Sequence, residues 1–355
     1  MALEPEHLET PAMVIREAVV LENIRRFQAH CDRVGLAFRP HIKTHKSIRM
    51  ARAQLDAGAV GINCQKIGEA EVMAAAGIDD ILITYNIIGP EKLARLRGLG
   101  EKIARLSVTA DNAEVVHGLA GAFAGAGRPL TVLVECDTGG ARCGVQSPQA
   151  AVDLAEQIAA SPNLTFGGLM TYPAKGGQDN VVAFMTAAVA ALEARGLSCP
   201  VVTSGGTPDM WTAAPEGVLT EYRAGTYIYN DRSLVAYGTC TYDDCAAVVV
   251  ATVVSTPAPG RAVIDAGSKA LTSDLLGLEG HGHILGHPDA QITGLSEEHG
   301  VISYEAPDAF RVGDRIRVVP NHVCVVSNLF DSVWLDRADG AGLEPLPIDA
   351  RGKVT

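Results

Sequence analysis

A chain of 355 residues with 47% hydrophobic and 20% charged side chains can bury a substantial core in one or two domains, which excludes a disordered or fibrous protein. Lys and Arg number 29 against 41 Asp and Glu, a net charge of -12, so the field of the molecule repels DNA and RNA and no nucleic-acid partner is expected. No run of about 18 apolar residues is present to span a bilayer, and the acidic, Pro-interrupted start MALEPEHLETPAMVI does not read as a secretory signal; a cytoplasmic protein without a membrane partner is expected, its eight cysteines, none in a CxxC, reduced.

In chain order, TPAMVI (10–15) reads as a strand ahead of the first helix. Eight short apolar runs follow as predicted strands, at 36–41, 59–63, 80–84, 103–109, 130–136, 164–170, 200–204 and 219–224. Helix-compatible stretches separate them, among them Ala113 to Ala126 and Pro148 to Ala160, with Gly77, Gly127 and Gly196 placed as stops. The last unit, PDMWTAAPEG, has room only for a short helix. Eight strands with crossovers over about 200 residues predict an α/β fold, a (β/α)8 barrel over residues 17–225. After Tyr227 the pattern changes to β-branched runs broken by Pro, Gly and Asp, with no long amphipathic helix. This predicts an all-β domain over residues 226–355, which the unclaimed segment 1–16 is expected to join.

Polar residues collect just past the predicted barrel strands, where barrel enzymes place their active sites. They are Lys43, Gln65, Asn86, Arg142, Tyr172, Ser204-Gly205-Gly206-Thr207, Gly225 and Tyr227. RPHIKTHKS (39–47) concentrates Arg39, His41, Lys43, His45 and Lys46 in an acidic chain, which suits a local site for a small anion. Strand alternation sends Leu36, Phe38, Pro40 and Ile42 toward the helices and Arg39, His41 and Lys43 the other way. An amine beside other cations loses some affinity for its proton, one way to make a lysine nucleophilic enough for a Schiff base; taken alone, a solvated lysine is the commoner outcome. SGGT reads equally as a tight turn or as a loop whose backbone approaches a phosphate, at the strand ends where barrels commonly hold one. A reactive lysine and a phosphate cradle at the same barrel mouth together imply pyridoxal phosphate.

At this point the ordered set of motifs resembles a known family. RPHIKTHKS, GINCQKIGEAE, VECDTGGARCGV, SGGTPDM, EYRAGTYIYND, VIDAGSK, SEEHG and VPNHVCVVSNLFD are similar to the D-threonine aldolase and D-serine dehydratase group of fold-type III pyridoxal enzymes, over nearly the whole chain. The resemblance implies an alanine-racemase-like barrel plus a β domain, with Lys43 carrying the cofactor and Arg142 near its phenolic oxygen. It places Tyr172 by the ring and Gly205, Gly206 and Thr207 around the phosphate, with Gln65, Ser204, Gly225 and Tyr227 as further cofactor contacts. It also implies a divalent metal at His322 and Cys324, whose spacing puts both on one face of a strand. A thiolate favours zinc over manganese or magnesium, and water, substrate or another side chain completes the coordination. Without the resemblance, Cys324 reads as a small buried hydrophobe and His322 as a loop residue.

The chain departs from the aldolases in following Tyr172 with Pro173-Ala174-Lys175 where they often carry a histidine. Lys175, His299 and a metal-bound hydroxide at His322 are the candidate bases. HGHILGH (281–287) reads as a polar loop. The implied reaction is cleavage of a β-hydroxy-D-amino acid to glycine and an aldehyde by a homodimer. Dehydration of D-serine or D-threo-3-hydroxyaspartate is the alternative; an amino-acid racemase and a pyridoxal phosphate carrier are more distant ones.

Overall fold

The computed structural model describes residues 7–355; residues 1–6, assigned by sequence with the β domain, lie outside the described residues. By their contacts the described residues form two units, one of residues 26–43, 48–225 and 353–355, the other of residues 7–25, 44–47 and 226–352. Strand β1 (Ala12–Arg16) leads into helix α1 (Glu17–Val34).

The first unit is the barrel. Its strands are β2 (Ala37–Phe38), β3 (Ile62–Cys64), β4 (Asp80–Ile83), β5 (Arg105–Ala110), β6 (Leu130–Cys136), β7 (Leu164–Thr171), β8 (Val201–Gly205) and β9 (Glu221–Arg223). They pair in parallel in the order β2-β9-β8-β7-β6-β5-β4-β3, and a parallel bridge between His41 and Asn63 joins the two ends. Helices α2 (Ile48–Asp56), α3 (Ile67–Ala75), α4 (Pro90–Lys102), α5 (Ala113–Ala122), α6 (Pro148–Ala160) and α7 (Gln178–Ala194) form the crossovers. The last crossover has only a 3-10 turn, Met210–Thr212, as its short sequence allows.

Local chemistry sets the helix ends. Ser147 caps α6 by accepting the Ala150 N–H, with Pro148 in the first turn, where a missing N–H costs nothing. Asn112 caps α5 in the same way, but α5 stops at Ala122 instead of Ala126, and in the turn that follows it is Gly125, not Gly127, that takes the left-handed conformation, at φ 68°. The other two expected stops, Gly77 and Gly196, do adopt positive φ.

The second unit is a sheet domain, antiparallel except where β1 pairs with β16 in parallel. Its strands are β10 (Ala247–Ala258), β11 (Arg261–Ile264), β12 (His283–Ile284), β13 (Gln291–Leu295), β14 (Gly300–Ser303), β15 (Arg315–Val319), β16 (Ser332–Asp336) and β17 (Leu343–Pro347), with short helices α8 (Arg232–Ala236), α9 (Ser268–Leu271) and α10 (Val323–Leu329). The main path runs β13-β14-β11-β10-β1-β16-β17, and β15 pairs with β10 and β12. β1 lies inside this sheet, pairing Met13 with Val249 and Ile15 with Leu335. Leu8, Val14, Val248, Val250 and Val319 form a buried cluster around it.

One expectation fails here. His322 and Cys324 do not share a strand face: β15 ends before Pro320, His322 is the N-cap of α10, and Cys324 lies in its first turn. The β-branched run VCVV favours a strand, but Pro320 cannot donate to the ladder, and the Asp231 carboxylate takes the Val323 N–H at 3.1 Å, capping a helix from outside the segment. Among the described residues no helix is long and apolar enough to cross a membrane.

The barrel depends on a bulge where β7 meets β6, between Val132 and Leu133. Gly168 sits there at φ 128°, and a Cβ on it would overlap the carbonyl oxygen of Val201. Gly168→Ala is therefore expected to destabilise the fold by at least about 1–3 kcal/mol, read from urea denaturation; an unchanged midpoint would contradict the packing described.

Candidate active site

Within the barrel unit, Lys43 lies in a 3-10 turn, Ile42–Thr44, just beyond the first strand. Its Nζ is 6.0 Å from the centroid of the Tyr172 ring, and the Arg142 guanidinium stands 4.8 Å from the same ring. Tyr172 directly follows β7 and is 41% exposed. Two cations from the loops after strands one and five of the barrel thus converge on the aromatic ring that follows strand six.

The neighbouring cations are placed differently from the sequence expectation. Arg39 is held by Asp80 at 2.7 Å and Glu221 at 2.9 Å, so its charge is compensated inside the barrel and does not serve to repel a proton from Lys43. His41 accepts the Lys43 backbone N–H at Nδ1, at 3.3 Å, which makes Nε2 the donor to Gln65 Oε1 at 3.1 Å. Gln65 in turn donates to the Thr84 carbonyl at 2.9 Å. His41 and Gln65 therefore act on the turn that carries Lys43.

The loop after β8 is tight for reasons of its own. A Cβ on Gly205 would overlap the Arg223 carbonyl, so that glycine is required by the strand pairing. Gly206, at φ 118°, gives its N–H to Arg223 O at 2.8 Å, and its carbonyl accepts the Tyr222 hydroxyl at 2.8 Å. The Gly206 amide is thus already used, contrary to the simple picture of two free amides facing a phosphate. The Ser204 hydroxyl is different: it is buried and has no hydrogen-bond partner. Thr207 and Gly225 are buried, and Tyr227 is fully buried in the turn Thr226–Ile228 of the second unit.

Arg142 is presented by a pinned loop. Asp137 Oδ1 accepts the N–H groups of Gly139 and Ala141, at 2.9 and 3.2 Å. Asp111 takes the Gly144 N–H at 2.9 Å through one oxygen and Asn86 Nδ2 at 2.8 Å through the other, tying together the loops after β4, β5 and β6. Two buried charges in the barrel were missed by sequence reasoning. Glu135 has its carboxyl pushed up by burial, against the opposing pull of Arg142 and Arg223. Arg223 donates to Thr203 Oγ1 at 3.0 Å and to the Thr171 carbonyl. Their signal was a charged residue inside the apolar runs LTVLVEC and LTEYRA.

In the second unit, His322 and Cys324 form an interacting pair. Burial alone would lower the His322 pKa, but the hydrogen bond and charge of Cys324, with Asp274 and Asp231, raise it to about 9. Burial would likewise raise the Cys324 pKa, but His322 and the hydroxyls of Thr226 and Thr44 hold it below the usual thiol range. Those hydroxyls lie 3.4 and 3.1 Å from the sulfur. His322 Nδ1 meets Asp274 Oδ2 at 3.0 Å. A half-buried cysteine whose thiolate form is favoured, beside an oriented imidazole, is a suitable donor set for a soft divalent ion. No group of three His, Cys, Asp or Glu side chains that could hold a metal occurs among the described residues.

The remaining candidates are more dispersed. Lys175 is exposed on the loop before α7, where Asp209 accepts the next backbone N–H, that of Gly176, at 2.7 Å. His299 is exposed on the β13–β14 turn. In HGHILGH, His283 stacks on Tyr242 at 3.9 Å and His287 packs on Phe310 at 4.5 Å, so both rings serve packing in the β domain.

The alanine racemase N-terminal domain family matches residues 15–233, and the serine dehydratase domain family matches residues 246–335. The chain is 38% identical to a D-threonine aldolase of Arthrobacter sp over 97% of this chain and 93% of that protein. The crystal structure of D-threonine aldolase from Filomicrobium marinum matches with a TM-score of 0.92 at 31% identity, over 100% of this chain and 99% of that one. A D-threo-3-hydroxyaspartate dehydratase, solved as a cysteine-to-alanine variant in the metal-free form, matches with a TM-score of 0.90 at 30% identity, over 97% and 98%. A companion variant of that dehydratase alters a histidine two positions before the cysteine. The chain belongs to the family of fold-type III pyridoxal enzymes that holds the D-threonine aldolases and D-serine dehydratases, built on an alanine racemase N-terminal barrel.

Proposed function

We propose that the protein is a lyase, dependent on pyridoxal phosphate and a divalent metal, that cleaves D-threonine and related β-hydroxy-D-amino acids to glycine and an aldehyde. The observation that carries this reading is the convergence of Lys43 and Arg142 on the Tyr172 ring at the barrel mouth. The residues present fit the cofactor: the Ser204 hydroxyl is buried without a partner beside the glycine turn, so a hydrogen-bonding group is called for there. They also fit the metal, through the polarised pair His322 and Cys324. On this reading the barrel, residues 17–225, carries the cofactor and the β domain carries the metal.

When bound, pyridoxal phosphate supplies an electron sink for the bond broken at the substrate α-carbon, and the metal supplies a Lewis acid that acidifies a hydroxyl. The chain's own residues have defined tasks. Lys43 offers the amine that holds the cofactor, on a turn fixed through His41 and Gln65. Tyr172 offers an aromatic ring, with the Arg142 guanidinium over it at 4.8 Å, for the cofactor to lie beside. Asp137 and Asp111 hold the Arg142 loop in place. Cys324 supplies the sulfur, and against the opposing effect of burial the His322 imidazole and the Thr226 and Thr44 hydroxyls favour its thiolate form.

The thiolate also favours a second reading, dehydration. The solved dehydratase relative has an altered histidine and cysteine at the same spacing as His322 and Cys324, and its cysteine variant was solved in the metal-free form. The products decide between the two. Incubation with D-threonine is expected to give glycine and acetaldehyde in equal amounts, lost on exhaustive chelation and restored by Zn2+ or Mn2+. Ammonia and a 2-oxo acid without aldehyde would replace the aldolase by the dehydratase.

The metal-free protein makes a separate prediction. His322 contributes stability that is fully present below its unfolded pKa and is lost as pH rises through about 9. Cys324 contributes stability that is present above its unfolded pKa and is lost as pH falls through its lowered folded value. The ultraviolet absorbance of the thiolate is therefore expected at lower pH than for a free thiol, and His322→Ala is expected to move it upward. Superimposable titrations of the two proteins would contradict the pair.

A further inference from the structure

We infer that Asp274 is the positioning carboxylate of the metal centre, holding the His322 ring through Nδ1 so that Nε2 is left to face the ion. This rests on the reading of His322 and Cys324 as metal ligands. Its geometric basis is the 3.0 Å contact between His322 Nδ1 and Asp274 Oδ2. An imidazole that ligates through one nitrogen carries its hydrogen on the other, and a carboxylate there fixes both tautomer and ring plane while making the ligating nitrogen more basic.

The loop that brings Asp274 to this position has no regular structure to hold it. It runs between α9 and β12 and takes positive φ at Thr272, Leu276, Gly277, Gly280 and Gly282. Its apolar residues do not hold it either, since Leu275 and Leu276 are 44% and 41% exposed. It is held instead by two polar side chains. Asn321, almost fully buried, donates to the Asp274 carbonyl at 3.2 Å and the Gly280 carbonyl at 2.8 Å. Arg232 donates to the Glu279 carbonyl at 2.7 Å and to Asn321 Oδ1 at 3.0 Å. Asn321 immediately precedes His322, so one side chain fixes both the loop with the carboxylate and the backbone that carries the imidazole. The same backbone is held from its other side, where Asp231 accepts the Val323 N–H. A loop strained at several positions and exposed in its apolar residues, yet pinned by its carbonyls, is built to deliver its carboxylate.

The test is equilibrium dialysis of the purified full chain against Zn2+ alone, with thermal unfolding of the metal-free proteins as the check on folding. Asp274→Ala is expected to weaken Zn2+ binding about 10- to 100-fold while the metal-free variant still unfolds in one cooperative transition. Asp274→Asn keeps an oxygen to accept the Nδ1 hydrogen and is expected to recover much of the loss, which a merely structural role would not predict. Asp274→Leu gives the same answer as alanine should the alanine variant not fold. Asp289→Ala, which removes an exposed charge elsewhere in the domain, is expected to bind as wild type. Wild-type affinity in the alanine or leucine variant would overturn the role of Asp274 alone. A wild-type protein that binds no Zn2+ would overturn the metal reading beneath it.

Discussion

The barrel mouth depends on how a strand of two residues, β2, closes an eight-stranded sheet. The N–H groups of Ala37, Arg39 and His41 all point to β9, donating to Thr220, Tyr222 and Ala224 at 2.9–3.0 Å. The carbonyls of Phe38 and Pro40 point the other way and accept from Val60 and Asn63, at 3.0 and 2.8 Å. Pro40 has no N–H to give to that second seam, so the regular ladder there is cut short and a single bridge at His41 closes the ring. The chain then turns at once into the segment bearing Lys43. Asn63 strengthens the adjoining seam by donating from its side chain to the Leu82 carbonyl and to Thr84 Oγ1.

The barrel interior is layered by charge. Arg39, Asp80 and Glu221 form a network near the strand starts, extended by Arg105 to Asp80 at 2.6 Å. Leu82, Leu133 and Met170 pack together as an apolar layer, and strand alternation places Glu135 one step beyond Leu133 and Arg223 one step beyond Glu221 toward the carboxyl ends. Buried ion pairs of this kind add little net stability, yet loss of one partner costs about 3–5 kcal/mol. This resolves the dense cations of RPHIKTHKS: Arg39 serves the barrel, His41 orients a turn, and Lys46 in the second unit donates to Asn328 at 3.1 Å. Lys43 is the member of the group that faces Tyr172.

Much of this architecture was legible in the sequence because it follows from local rules. The eight barrel strands announce themselves as short apolar runs, and the Ser147-Pro148 pair marks the start of α6 where the structure has it. Lys43, Arg142 and Tyr172 could be singled out together because each follows a predicted strand. What was lost depends on distant partners. The α10 helix is invisible in PNHVCVVSNL because its cap, Asp231, is supplied from another part of the chain. Asp274 lies in a loop whose path is fixed by Asn321 and Arg232, and neither leaves a pattern near it in sequence. The Gly206 amide looked available to a ligand until the β9 carbonyl that occupies it was seen.

The central claim is that the amine of Lys43 holds the cofactor, and the most direct measurement of it is borohydride reduction of the purified protein with pyridoxal phosphate, followed by peptide mapping. The account predicts one pyridoxyl adduct, on the peptide containing Lys43. An adduct on another lysine, or none after reduction, would contradict it.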